Sequence, residues 1–300
     1  MEVLPTKAGY VAIVGKPNAG KSTLMNALVG ANLSIVTPKP QTTRKRVLGI
    51  FSNEKLQVVF IDNPGLLKPR YEMQRQMMSY VDESMSDADI ILVILDIEDF
   101  SPQKNYFHET FLKNLKLIEK PKILVINKVD LLKNVKEVLP VMKIFADMKV
   151  FDEIVPISAL KDAQTETLVK LFEKYLPESE FFYDPEMLSV QNERFFVSEL
   201  IRECIFTDFK QEIPYSTEVN IVEFKEREVG KWYISAEIIV ERSTQKQIMI
   251  GENGDKIKHT GMKSREKIEE HLQMPVYLEL FVKVREKWRD SKTMLKSYGY

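Results

Sequence analysis

Apolar residues in the first 176 positions come in short runs separated by segments of helical period. The runs lie at residues 10–14, 47–51, 56–61, 90–95, 123–126 and 154–157. Two of them, 90–95 and 123–126, contain only Ile, Leu and Val, which predicts strands buried on both faces of a parallel sheet. Helical patterns fall between them at 21–29, 74–86, 102–117, 135–148 and 165–175. This alternation predicts an α/β fold, a doubly wound sheet with right-handed crossovers.

The rhythm breaks at Leu176-Pro177-Glu178-Ser179-Glu180, and a polar, Pro-containing stretch follows to about Asn192. That composition predicts a linker. Beyond it the order changes. A helix is predicted over 193–206, then strands over 217–225 and 232–241, with alternating Val219 and Ile221 on one and Ile234, Ala236, Ile238 and Val240 on the other. Glu228 and Gly230 fall in the turn between them, as in a hairpin. A helical turn, a Gly-x-x-Gly loop, a helix over 255–272, a strand over 276–284 and a short last helix within 287–297 complete the chain. The predicted organisation is therefore an α/β domain at 1–176, a linker at 177–192 and an α+β domain at 193–300.

Composition narrows the function classes. A chain of 300 residues suits two domains of roughly 100–200 residues each. With 44% hydrophobic and 29% charged residues the chain is not globally disordered. A net charge of −1 argues against a strongly basic nucleic-acid coat protein, while leaving room for local basic patches. The single cysteine, Cys204, excludes an internal disulfide and a thiolate metal cage, reads as a small buried hydrophobe, and fits a reducing compartment. No stretch approaches the roughly 20 apolar residues of a membrane helix, and residues 1–10 lack a signal-peptide pattern. A cytoplasmic location is expected.

The chemistry-bearing motifs fall at predicted strand ends. Gly15-Lys16-Pro17-Asn18-Ala19-Gly20-Lys21-Ser22, followed by Thr23, matches G-x-x-x-x-G-K-[ST] between a strand and an amphipathic helix. Its backbone N–H groups are placed to cradle phosphates, with Lys21 reaching the β- and γ-phosphates and the Ser22 hydroxyl binding Mg²⁺. Asp62-Asn63-Pro64-Gly65 ends the third strand. Asp62 supplies the second Mg²⁺-side anchor, and Gly65 offers its N–H to a γ-phosphate. Asn127-Lys128-Val129-Asp130 ends the fifth strand. A carboxylate at Asp130 accepts from guanine N1–H and the 2-amino group, a donor pair adenine lacks. Ser158-Ala159-Leu160 follows the next strand, where a backbone N–H can meet guanine O6. Between the phosphate loop and the second strand, Pro38-Lys39-Pro40-Gln41-Thr42-Thr43-Arg44 reads as a mobile loop whose Thr42 or Thr43 closes over Mg²⁺. Leu66 stands where a Ras-like enzyme has the Gln that orients water, so intrinsic hydrolysis is expected to be slow. His108, His259 and His271 lie outside all of these motifs.

Together these residues resemble the TRAFAC class of GTPases and, more closely, the Era family of bacterial ribosome-assembly GTPases. The resemblance rests on GKPNAGKST at 15–23, QTTR at 41–44, DNPG at 62–65, NKVD at 127–130 and SALK at 158–161. In the second half it rests on EIPYS at 212–216, IGENGDKIKHTG at 250–261 and PVYLELFVKVREKW at 275–288. It implies a GTPase domain followed by a type II KH domain. KH domains clamp about four single-stranded nucleotides with a GXXG loop, here Gly251-Glu252-Asn253-Gly254 with Lys256, Lys258 and Lys263 nearby. It also implies GTP and GDP as ligands, Mg²⁺ as cofactor and a K⁺ ion at Asn18 in place of an arginine finger. The implied partners are the 3′ end of 16S rRNA and the small (30S) subunit.

Three positions depart from the family pattern. Asn63 replaces the usual Thr, Asp162 replaces the usual Gly, and Glu252-Asn253 replace the more basic centre of the GXXG loop. Glu252 would repel phosphate. Residues 181–300 carry 19 Lys and Arg against 21 Asp and Glu, so RNA binding must use local patches such as 283–296. The competing reading is a nucleotide-tuned membrane or cell-cycle protein with a peripheral contact on the cytoplasmic face of the inner membrane. The tail lacks the sustained amphipathic pattern of an interfacial helix, which favours RNA, and a monomer is expected.

Overall fold

The computed structural model describes residues 5–101, 106–161 and 164–300. The first four residues, the start of the helix expected from residue 102, and Asp162 lie outside the described residues. The chain divides into two compact units. The first comprises Met1–Ser34, Thr43–Lys68 and Met78–Val190, and the second Ile35–Thr42, Pro69–Met77 and Gln191–Tyr300.

The sheet of the first unit contains β1 (Lys7–Gly15), β2 (Val47–Ser52), β3 (Leu56–Asp62), β4 (Ile90–Asp96), β5 (Lys122–Asn127) and β6 (Glu153–Pro156). Their order is β2-β3-β1-β4-β5-β6. Five strands run parallel, and every residue of β3 and β4 is buried. The doubly wound α/β sheet is as expected, with one antiparallel pair, β2 against β3. Only residues 53–55 join these strands, too few for a crossover. Asn53 Oδ1 closes that turn by accepting from the N–H groups of Lys55 (2.9 Å) and Leu56 (2.8 Å). The parallel registers Ile13↔Asp62, Gly15↔Ile94 and Asp96↔Asn127 bring the motif-bearing strand ends side by side.

The helices are α1 (Lys21–Val29), α2 (Glu72–Asp87), α3 (Glu109–Leu117), α4 (Val138–Asp147) and α5 (Thr165–Tyr175). His108 caps α3, its Nδ1 accepting from Thr110 N–H at 3.3 Å. The helix expected over 135–148 divides into a 3₁₀ turn, Val135–Glu137, and α4. Pro140 then falls in the first turn of α4, where its missing N–H costs no hydrogen bond.

Residues 177–190, expected to be a linker, belong instead to the first unit. Glu178 bridges to Lys7, and Ser179 N–H donates to Thr6 O at 3.0 Å. The fully buried Gln57 accepts from the N–H groups of Phe182 (2.8 Å) and Tyr183 (3.0 Å) and returns a bond to Tyr183 O (2.9 Å). Ile50 N–H donates to Leu188 O at 2.8 Å, and Phe182 stacks on Tyr10 with ring centroids 5.4 Å apart. Paired backbone groups of this kind hold a segment down although it belongs to no helix or sheet.

The second unit contains α6 (Glu193–Asp208), β7 (Glu218–Lys225), β8 (Trp232–Val240), α7 (Ser243–Ile250), α8 (Asp255–Leu272), β9 (Val276–Val284) and α9 (Lys292–Ser297). Strands β7 and β8 are antiparallel with a bulge between Ile221 and Glu223, while β8 and β9 are parallel across the α7–α8 crossover. Val197, Ile201, Ile205, Ile234, Ala236, Ile238, Met249 and Ile268 form its core. The helical turn expected before Gly251 is the eight-residue α7. The last helix is shorter than expected because a 3₁₀ turn, Trp288–Asp290, precedes it and inserts Trp288 into the interior. There the indole N–H donates to Ser216 O at 3.0 Å. Cys204 is buried on α6 as expected, and burial raises its thiol pKa. No helix among the described residues is long and apolar enough to cross a membrane.

Candidate functional site

β1 ends at Gly15, and the loop from Lys16 to Gly20 turns the chain into α1. Gly20 is the N-cap of α1 with φ +96°, and a Cβ there would lie 2.2 Å from Asn127 Nδ2. That close approach is used. Asn127 Nδ2 donates to Ala19 O at 2.9 Å, and Asn127 Oδ1 accepts from Ala159 N–H at 3.0 Å. One buried amide thus ties the phosphate loop to the 158–160 loop. Leu66 N–H donates to Gly15 O at 2.9 Å, which holds the segment after Gly65 against the same loop.

At the phosphate end, Lys21 is buried, and its ammonium donates to Gly15 O (3.2 Å) and Lys16 O (2.9 Å). Burial lowers its pKa to about 8, against the opposing pull of Asp62. Asp62 is fully buried, and burial raises its pKa, with Lys21 and the Ser22 hydroxyl opposing that shift. Asp62 Oδ2 accepts from Ser22 Oγ at 2.6 Å and from Thr43 Oγ1 at 3.5 Å, and the two hydroxyls lie 3.0 Å apart. Asp62 Oδ1 has no hydrogen-bond partner. A buried carboxylate oxygen left unpaired beside two hydroxyls suits a hard divalent cation, which takes oxygen ligands. Ser22, Thr43 and Asp62 therefore fit Mg²⁺. Of the two threonines left open by the sequence, Thr43 joins this group. Thr42 instead donates to Lys39 O (2.7 Å) and lies 2.9 Å from Thr37 Oγ1. The loop expected to be mobile has Thr42 and Arg44 buried.

Two residues assigned to the nucleotide from the sequence have side chains pointing elsewhere. Asn63 donates to Ile13 O (3.2 Å) and Ile61 O (3.1 Å) and accepts from Ser84 Oγ (2.7 Å), all within the interior. Next to Asp62, it faces the opposite way because successive side chains on extended backbone alternate. Asn63 is thus a structural tie between β1, β3 and α2. Leu160 is 81% exposed, so only its backbone remains for the site. Leu66 packs among the apolar side chains around Phe107 and Phe111.

At the base end, Lys128 has φ +66° and pairs with Asp96 at 2.5 Å. Asp96, absent from the sequence assignment, is the acidic end of β4 and lies in register with Asn127; an Asp directly after the unbroken apolar run 90–95 was the available signal. Val129 N–H donates to Ile157 O at 3.2 Å. The Ser158 hydroxyl holds the Asp130 carboxyl below its ordinary pKa, aided by Lys161 at 3.7 Å. Asp130 is therefore an ionised acceptor at neutral pH.

In the second unit, Gly251 closes α7 by donating its N–H to Gln247 O at 2.9 Å. It has φ +78° and ψ 179°, a region open essentially only to glycine. A Cβ there would lie 2.1 Å from Asp255 Oδ1. Gly254 has φ +80° and ψ 15° with open space around it. Glu252, Asn253, Lys256 and Lys258 are exposed. Lys263 is not available as assigned, since it pairs with Asp208 at 2.6 Å on the α6 side of α8. The sequence missed a cavity of about 300 Å³ beside the loop, lined by Ile257, Lys258, Gly261, Met262, Arg265, Leu278 and Leu280. The signal for it was Gly261, a glycine inside a helix, which costs roughly 1 kcal/mol relative to Ala and leaves the helix surface bare.

These two glycines separate experimentally. Gly254→Ala is expected to cost about 1–2 kcal/mol, the penalty for placing a Cβ in the left-handed region. Gly251→Ala is expected to cost more, because a clash adds to a worse conformation. Urea unfolding of the two variants measures the order, and equal losses would contradict the loop geometry.

Comparison with known proteins identifies both halves. A family model described as 50S ribosome-binding GTPase matches residues 10–128, and a KH domain model matches residues 212–289. The chain is 39% identical to GTPase Era of Clostridium botulinum (strain Langeland) over 295 residues, covering 98% of each. It is 40% identical to a chloroplastic GTPase ERA-like protein of Oryza sativa subsp. japonica, covering 98% of this chain and 69% of that protein. A crystal structure of Era in complex with MgGDPNP and nucleotides 1506–1542 of 16S ribosomal RNA matches with a TM-score of 0.92 and 40% identity, covering 98% of this chain and 99% of that chain. A variant of Aquifex aeolicus Era bound to GDP and AlF4⁻ matches with the same TM-score, identity and coverage. A nucleotide loop, a strand-end carboxylate, a base-end carboxylate and a GXXG helix junction, found over the whole length of relatives at this identity, place the chain in the Era family of GTPases.

Proposed function

We propose that this GTPase binds and hydrolyses GTP in the first unit and binds the 3′ end of 16S rRNA through the second, in assembly of the small ribosomal subunit. The observation that carries the GTP half is the gathering of Lys21, Ser22, Thr43 and Asp62 at one end of the strand edge and Asp130 and Lys128 at the other. The RNA half rests on the exposed GXXG loop beside a groove whose rim carries Lys258 and Arg265. It is supported by the relative solved with a 16S rRNA fragment.

Lys21 neutralises phosphate charge, and an arriving phosphate stabilises the charged form that burial disfavours. Ser22, Thr43 and Asp62 hold Mg²⁺, which when bound neutralises charge on the β- and γ-phosphates. Asp130 accepts from guanine N1–H and the 2-amino group. An adenine would leave that carboxylate unpaired, and discrimination follows. Leu66 cannot orient water, so we assign K⁺ to the phosphate loop at Asn18 as the missing positive charge. The protein acts on the 30S subunit, as a monomer, in the cytoplasm, a location consistent with its unpaired, buried Cys204.

Two measurements test this reading. Mobility shifts with a single-stranded RNA copying the 3′ end of 16S rRNA are expected to show loss of binding in Gly251→Asp/Gly254→Asp, and separately in Lys258→Glu/Arg265→Glu, with GTP affinity unchanged in both. Wild-type RNA binding in both double variants would overturn the RNA assignment. GTP hydrolysis is expected to be faster in KCl than in NaCl at equal ionic strength, and equal rates would remove K⁺.

A further inference from the structure

The first unit contains a cavity of about 580 Å³ that borders the phosphate loop at Lys16. Its volume falls within the roughly 300–1,000 Å³ of small-ligand pockets. Leu66, Leu67, Tyr106, Phe107 and Phe111 supply its apolar lining. Lys16 and Lys68 supply two cations, His108, Thr110 and Asn114 supply further polar groups, and no carboxylate is among its described lining residues. Lys16 Nζ stands 3.8 Å from the centroid of the Tyr106 ring. The Tyr106 hydroxyl accepts from Asp96 N–H at 2.9 Å, so that ring is braced against the strand end that holds Lys128. An aromatic floor fixed in place, with cations and without acids, selects for both shape and charge.

We propose that this cavity is a binding site for a small molecule with a flat aromatic body and a single anionic head, a carboxylate or sulfonate. The body lies against the apolar lining of Leu66, Leu67 and Phe111. The head meets Lys16 and Lys68. Because Lys16 is a phosphate-loop residue and Leu66 follows Gly65, an occupant touches both segments that surround the nucleotide phosphates.

The test uses the full chain loaded with Mg-GDP and the fluorescent anion 1-anilinonaphthalene-8-sulfonate. One saturable site is expected. Asn114→Trp fills the cavity and is expected to abolish binding. Lys68→Glu reverses one exposed charge and is expected to weaken it about tenfold, the loss of one charge-assisted contact. The neutral probe N-phenyl-1-naphthylamine is expected to bind about tenfold more weakly than the anion for the same reason. Melting temperatures and Mg-GDP affinity establish that the variants are folded. Should Asn114→Trp fail to fold, Lys68→Glu and the neutral probe still decide the matter. Anion binding insensitive to Lys68→Glu, or a neutral probe bound as tightly as the anion, would overturn the proposal.

Discussion

Asp62 is a fully buried carboxylate with one oxygen satisfied by hydroxyls and the other by nothing. Burying an ionised carboxylate without compensation is costly, and the group answers by favouring its neutral form. Lys21, itself discharged more readily than a free lysine, compensates only in part. The nucleotide-free site therefore buries a carboxyl and an amine whose charged forms are each disfavoured by burial. A Mg²⁺ ion bearing a phosphate chain would relieve both at once, one component neutralising Asp62 and the other pairing with Lys21. Tight binding of the pair follows from a cost the fold has already met.

The sheet is what sustains that cost. Parallel registers set Gly15, Asp62, Asp96 and Asn127 along one edge, where open α/β sheets bind ligands. Asn127 then fixes the spacing between the phosphate end and the base end through two hydrogen bonds of a single side chain. Gly20 is required for that tie, since any Cβ would displace the amide. A single buried side chain thus sets the distance over which the ligand is read.

Much of this was legible in the chain because the motifs sit where buried strands end, and hydrophobic runs locate those ends. Direction was harder to read than position. Asn63 adjoins Asp62 yet points into the interior, because extended backbone alternates sides. Lys263 lies close to the GXXG loop in sequence, but five residues beyond Lys258 on a helix is a rotation of about 140°, enough to reach Asp208 instead. Leu278 and Leu280 read as ordinary core residues of a strand, and only tertiary structure shows them lining a groove. The stretch 177–190 looked like a linker because it opens on Pro177-Glu178-Ser179-Glu180, carries a second proline at Pro185 and follows neither a strand nor a helix period. Its attachment runs through backbone groups, the stack of Phe182 on Tyr10 and Gln57, a polar residue in an otherwise apolar strand. The antiparallel β2 was readable from its three-residue connection to β3, a length that hydrophobic periodicity does not register.

The central claim is that Ser22, Thr43 and Asp62 form one cation-holding group and that Thr42, bonded to Thr37 and Lys39, stands outside it. Its most direct test is the Mg²⁺ dependence of binding of a non-hydrolysable GTP analogue by Thr43→Ala and Thr42→Ala. Thr43→Ala is expected to need about tenfold more Mg²⁺ for half-maximal binding, the loss of one hydrogen-bonding or metal contact of about 1.4 kcal/mol. Thr42→Ala is expected to match the wild type. A raised Mg²⁺ requirement in Thr42→Ala with none in Thr43→Ala would contradict the account.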